Sequence, residues 1–391
     1  MPVPGVDIGV PDDFNFNAAP FDPDSKLPPP PLEVLENFKG TFSGRGFNTI
    51  FRPDSTATPT PMEVEPTDIN DNVLELNMTA ETQVFSKSLG SVPNRGSEGQ
   101  PDIFLNGLPY TQTVYDVTQR PLEEPLPRNG EDLTPIHFES GLWMRVPASQ
   151  GLQPSYNRMA SIPHGTTINA QGFTEAVKKQ GAPTFGEVDI TPSFLRTGVK
   201  QKFPSQELSN LAVRRLPPAE HMGLIKQGMI KNPNIVLSEA NKGKEILSNI
   251  TFSVTTNPQG SNFGGGTSNI GFLVGDKTRN VKPNALTFDV SATYWISTVR
   301  ARLDLPEFHP KNVDDGIVVP VKASRPGDVV PSFFIKFAVP KPRTVFVRYT
   351  QIQYSQVVNL DFVPLRWPHA TVATLAPVEA PLDEKDLENV N

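Results

Sequence analysis

Forty-two of the 391 residues are proline, about twice the usual share. Each proline removes a backbone donor and fixes φ near about −65°, so it ends or kinks any helix it falls inside. Spread along the whole chain, the prolines leave few windows for long helices. They favour strands joined by stiff loops, with extended arms. The chain is 37% hydrophobic and 20% charged, which is enough apolar content to build a core. Its length allows one large domain or two ordinary ones.

The strand pattern follows from this. GTFSGRGFNTIF (40–51), NVLELNM (72–78), ETQVFSKSL (81–89), LPYTQTVYDV (108–117), PIHFESGLWMRV (135–146) and the two arms of RMASIPHGTTINAQG (158–172) are rich in β-branched and aromatic residues. A second series runs from Asn249: NITFSVTT, SNIGFLVG, ALTFDVSATYWISTVRARL, GIVVPVKA, SFFIKFAV, TVFVRYTQIQYSQVVNLDF and PHATVATLAP. Regular short strands separated by turn residues imply a sandwich or a barrel. The reading is an all-β, calycin-like antiparallel β-barrel, enlarged or paired with a second β unit, with few short helices. LEVLENF (32–38) is a candidate helical turn. Most of the remaining helical pattern falls in 174–248, as FTEAVKKQ, PSQELSNLAVRRL and EANKGKEIL. The division is a Pro-rich extended arm (1–35), a first part of the barrel (36–173), a linking insertion (174–248), a second β part (249–375) and an acidic, mobile tail (376–391).

Charge and composition exclude several functions. The net charge is −7, and no Lys/Arg patch is interleaved with aromatics, so nothing draws the chain to nucleic acid. Without cysteine there are no disulfides, thiolate metal sites or cysteine nucleophile. MPVPGVDIGVPDDF has neither a basic nor an apolar signal region, and no run reaches about 18 apolar residues, so neither a signal peptide nor a membrane span is expected. The expected place is cytoplasmic. Hydrolase and dinucleotide signatures are missing. Gly264-Gly265-Gly266 lacks the Lys-Ser/Thr of a phosphate-binding loop and reads as a tight turn.

Chemistry therefore rests on five histidines. His221 and His309 lie in polar, Pro-rich contexts. His137, His164 and His369 lie in strands or tight turns beside apolar sequence, where an imidazole can enter a barrel lumen. The plainer reading gives each of them a structural role: a strand-end hydrogen bond for His369, a pairing with Glu139 for His137, a solvated turn for His164. Glu139 and Arg145 are candidate pocket charges. Trp143, Trp295 and Trp367 are candidate core or pocket-wall rings. Tyr110-Thr111-Gln112-Thr113-Val114 is echoed by Tyr354-Ser355-Gln356-Val357-Val358, a hint of two related strand pairs.

Four short motifs and a terminal strand occur in an order that resembles the nitrobindin family of haem-binding β-barrels. They are Gly40-Thr41-Phe42-Ser43-Gly44-Arg45-Gly46, with Phe where the family has Trp; Tyr110-Thr111-Gln112; His137 through Arg145; Pro163-His164-Gly165; and Pro364-Leu365-Arg366-Trp367-Pro368-His369. The likeness covers 40–172 and 349–375. It implies haem as cofactor, His369 as its axial ligand, His137 on the distal side, and peroxidase-like or peroxynitrite-isomerising chemistry.

Three classes of function remain open on the sequence. The first is binding of a small hydrophobic ligand in the lumen, lined by Phe42, Tyr110, Trp143, His164, Trp295 and Trp367, with haem as the sharper form. The second is an enzyme in the same cavity, with His137, Glu139 and Arg145 as catalytic candidates. The third is a structural or homo-oligomeric assembly protein using the Pro-rich arm.

Overall fold

The computed structural model describes residues 28–56, 72–122, 133, 135–149, 151–257, 264–362 and 364–389. Ten strands form one closed antiparallel barrel: β1 (Gly40–Pro53), β2 (Asn72–Phe85), β3 (Ile103–Asp116), β4 (Pro135–Val146), β5 (Ser155–Ile162), β6 (Thr166–Gly172), β7 (Glu245–Thr255), β8 (Leu286–Leu305), β9 (Arg343–Phe362) and β10 (Leu365–Val378). Each strand pairs with the next in sequence. The register Thr41↔Val378 to Thr49↔Ala370 closes β1 on β10. The chain thus makes one enlarged barrel in simple up-and-down order, and NVLELNM and ETQVFSKSL are a single strand. The other strands are short. Ile317–Pro320, Ser332–Ile335 and Ala380–Pro381 form a separate three-stranded sheet.

Barrel closure depends on bare backbone at Gly44 and Gly46, where a Cβ on Gly46 would lie 2.2 Å from the carbonyl oxygen of Val372. A Cβ on Gly44 would lie 1.9 Å from the carbonyl oxygen of Thr374. There β1 meets β10 backbone to backbone, which only glycine permits. The thinnest join is between β6 and β7, where one pair, Thr255↔Gln171, connects them. Val177–Gln180 extends pairing along β7, and Gly266–Asn269 pairs with β6.

Three apolar layers follow. Phe42, Phe85, Tyr110, Trp143, Phe252, Tyr294 and Leu375 fill the lower lumen, and a 3-10 turn (Glu33–Asn37) plugs that end with Leu35 and Phe38. On the outer face Phe47, Phe51, Trp295 and Trp367 are covered by residues from the 173–244 excursion, including Ile190, Phe203, Met229 and Leu237. The overhang of β8 and β9 builds a third cluster with Val319, Phe333, Ile335 and Val339. Because β1 is buried on both faces, its central residues lose the in–out alternation of a half-exposed strand.

Several expectations change. FTEAVKKQ contributes the strand Val177–Gln180. PSQELSNLAVRRL holds no α-helix: it contains the 3-10 turn Pro204–Gln206 and the two-residue strand Arg215–Leu216, which pairs with β2. The helices of the excursion are short: α1 (Gln227–Lys231) and α2 (Ile235–Asn241). Side chains landing on a curved outer sheet decide this segment, because tertiary burial outweighs weak helix propensity. SNIGFLVG is not a strand throughout; Gly271–Val274 forms α3. Residues 376–389, expected to be a mobile tail, are docked: Leu382 is buried, and Glu388 pairs with Arg300 and Arg348. The arm reading falls outside the described residues for 1–27. Among the described residues, no helix is long and apolar enough to cross a membrane.

Candidate functional site

The lumen is divided by a layer of polar side chains at mid-height. Glu139 (β4) and Arg158 (β5) are 0% and 2% exposed. They form a bidentate pair, Nη2 to Oε1 at 2.7 Å and to Oε2 at 2.8 Å, with Nε 3.1 Å from Oε1. Arg158 also donates to Tyr110 Oη (2.9 Å), Tyr294 Oη (2.9 Å) and Gln356 Oε1 (2.5 Å), and Tyr110 donates to Glu139. Burial by itself would raise the Glu139 carboxyl; the Arg158 guanidinium overrides it, so the group sits well below the usual carboxylate range. Beside this pair, Glu81 (β2) accepts from Gln83 (2.7 Å), Gln112 (3.0 Å) and Tyr354 Oη (2.6 Å). Burial pushes its carboxyl up to about 7.

A cavity of about 470 Å³ lies above this layer, within the range of about 300–1,000 Å³ typical of small-molecule sites. Gln112, Tyr354 and Gln356 belong both to the polar layer and to the cavity lining. Ile50, Val114, Ile162, Val358 and Leu360 supply apolar wall, and Leu273 of α3 closes part of the mouth. His137, His164 and His369 all line this space. The rings of His137 and His164 stand edge to face with centroids 5.0 Å apart. His137 Nε2 lies 3.3 Å from Glu139 Oε2. His369 Nε2 lies 2.6 Å from Asn48 Nδ2, and that amide also reaches Thr371 Oγ1 at 3.1 Å. Burial, with His137 and His164 adding to it, holds His369 down to about 3; burial also lowers His164. His369 is therefore a neutral imidazole at physiological pH, the form a metal requires.

The other sequence candidates lie elsewhere. Phe42, Tyr110 and Trp143 face inward but belong to the packed lower lumen, where Trp143 meets Tyr294 edge-on at 5.1 Å. Trp295 and Trp367 point out of the barrel: Trp295 against Phe185 (4.8 Å) and Trp367 against Phe203 (5.3 Å). Strict alternation would put Trp367 and His369, two residues apart on β10, on the same face; instead Trp367 packs in the outer cluster and His369 lines the cavity, with Pro368 between them. Arg145 is at the plugged end, bound to Glu33 (2.9 Å) and stacked 4.5 Å over Tyr156. Glu139 is spent on Arg158 beneath the cavity.

The reading of the sequence missed Asn48, Glu81, Arg158 and Leu273. One signal was present for the polar layer. Both halves of the echo Tyr110-Thr111-Gln112 and Tyr354-Ser355-Gln356 put their Tyr and Gln into it.

Among the described residues, no set of three or more His, Asp or Glu side chains is spaced to hold a metal ion. A bare ion has no cage among the described residues; a group that needs one imidazole donor is what these side chains would hold.

No protein-family model matches this chain, and no curated protein matches it. Among solved structures it is similar to the crystal structure of Rv2717c from M. tuberculosis, at 12% identity and a TM-score of 0.30, over 88% of this chain and 95% of that one.

Proposed function

We propose that this protein binds a small, largely apolar molecule in the upper cavity and holds its polar end against His137, His164 and His369. The carrying observation is the meeting of these three histidines, from β4, the β5–β6 turn and β10, in one cavity with a fully paired polar floor. The floor can bear a ligand because its charges are already satisfied by one another. The imidazoles are the groups left to direct a ligand's orientation. An environment-sensitive dye such as anilinonaphthalene sulfonate tests this. Enhanced fluorescence with the wild-type chain, lost in Val358→Trp, is expected. Equal enhancement in a folded Val358→Trp protein would place the dye elsewhere and remove the support.

Haem is the sharper form of this proposal, from the resemblance to nitrobindins. The donor chemistry fits: His369 is neutral and lines the cavity, and Asn48 fixes its ring. To hold haem, His369 would offer one ring nitrogen while the Asn48 amide orients the ring through the other. When bound, haem would bring peroxide or nitrogen-oxide chemistry to the cavity. The chain's own contributions are to hold the ring, exclude water with apolar wall and place His137 and His164 beside the ligand. Titration with hemin should give a Soret band that His369→Ala abolishes or shifts. No band in either protein would sink the haem version and leave the colourless-ligand reading intact.

One observation favours a catalytic reading as well. His137 faces the cavity while its Nε2 touches a carboxylate that Arg158 keeps ionised. A carboxylate-oriented imidazole is the usual form of a general base. In this reading Glu139 orients and does not itself transfer protons. His137→Ala should then abolish turnover with ligand affinity changed by no more than a few-fold; retained turnover would end it.

A further inference from the structure

The β7–β8 connection builds a surface that the cavity does not need. Between Ile270 and Asn284 the chain forms α3, reverses at Asp276–Val281 and enters β8. Leu273 is the buried residue of α3 and lines the cavity. On either side of it Ile270, Phe272 and Val274 are 39%, 58% and 53% exposed, and Val281 is 50% exposed. Lys277, Arg279 and Lys282 are exposed on the same turn. Asp276 is the one acid in this stretch: Oδ1 accepts from the Thr278 amide (2.8 Å), the Thr278 hydroxyl (2.6 Å) and the Arg279 amide (3.3 Å), and Oδ2 pairs with Arg279 Nε at 3.5 Å, an exposed pair that leaves the turn a net charge of +2. A basic, apolar tip thus stands on a chain of net charge −7.

We propose that this turn is a docking element for an anionic lipid surface. Its four apolar side chains enter the headgroup boundary, its three cations pair with lipid phosphates and carboxylates, and the cavity mouth faces the bilayer. Apolar side chains flanked by Lys and Arg are the composition that interfacial binding selects: burial supplies part of the affinity and attraction to anionic lipid the rest. The tip is preorganised. Paired bonds between Asp276 and Val281 (2.9 and 2.8 Å) close the turn. Ile270 donates to Gly165 (3.1 Å) and Asn284 to Leu273 (2.9 Å), which anchors it to the barrel rim. Little ordering is left to oppose binding. The docking surface stands on this turn alone; a bilayer as the source of the ligand rests in addition on the ligand-binding reading.

The test is co-sedimentation of the full chain with phosphatidylcholine vesicles, with and without phosphatidylserine, at low and high salt. Binding is expected with phosphatidylserine only, and to weaken with salt. Lys277→Glu/Arg279→Glu/Lys282→Glu should weaken it by at least about fivefold per basic residue, and Phe272→Ser/Val274→Ser should abolish it. All five side chains are exposed, so both variants should keep the wild-type melting curve. Wild-type protein that stays in the supernatant overturns the proposal. So does sedimentation that both variants retain, or a turn that captures a purified acidic protein and no vesicle. Dye binding in solution, without vesicles, reads the cavity separately.

Discussion

Arg158 and Glu139 show how a charge can sit inside a β-barrel. Each is desolvated, and each is compensated by the other and by Tyr110, Tyr294 and Gln356. Removing one partner leaves a buried charge alone. Arg158→Met or Glu139→Leu should therefore cost about 3–5 kcal/mol each, and the double variant less than the sum; urea denaturation of the three proteins measures it. His369 gives a pH dependence with a definite sign. Its folded value of about 3 lies below the ordinary value of 6.5, so between those limits the unfolded chain binds the extra proton. The contribution is present above about 6.5 and is lost as pH falls toward 3. Glu81, raised by burial to about 7 from 4.5, works in the opposite direction: its contribution is complete below about 4.5 and is lost as pH rises through 7. Comparing wild-type with His369→Gln cancels the Glu81 part. Between pH 7 and pH 5 the wild-type urea midpoint should fall further than that of the variant.

At the scale of elements, the 3-10 turn before β1 acts as a stopper. Leu35 and Phe38 are buried in the lower lumen, with Phe38 stacked on Phe85 at 4.8 Å and edge-on to Trp143 at 5.8 Å. Glu33 ties the same turn to Arg145 and to Tyr156 Oη (2.8 Å). Phe38→Ala should cost about 3–5 kcal/mol, measured by thermal and urea unfolding, and should leave hemin and dye binding unchanged because the cavity lies beyond the polar layer. A matching loss of cavity binding would mean that the two halves of the lumen are not separate. LEVLENF was readable as a turn from its apolar spacing. That it seals a barrel was not, because the rings it meets lie on β2, β4, β7 and β8.

The whole molecule closes only when its last strand returns to its first. β10 pairs with β1 and β9, so a chain ending before Leu365 would present two long, unpaired strand edges, a template for aggregation. Such a truncation should elute in the void volume on size exclusion, whereas the full chain should not. At this scale the sequence by itself determined the class: proline placement and period-two patterning permit strands and turns and little else, and those signals are local. It also pointed to His137, His164 and His369, since their apolar strand and turn contexts are local too. Only the tertiary structure decided that these three share one cavity, that Trp295 and Trp367 face outward, that Arg145 lies at the plugged end, and that Asn48 and Arg158 belong to the interior. The reason is physical. Which face of a strand looks inward depends on register and on what covers the outside, and in this barrel the excursion over 173–244 buries Phe47, Phe51, Trp295 and Trp367 on the outer face, so an apolar side chain there does not mark the inside.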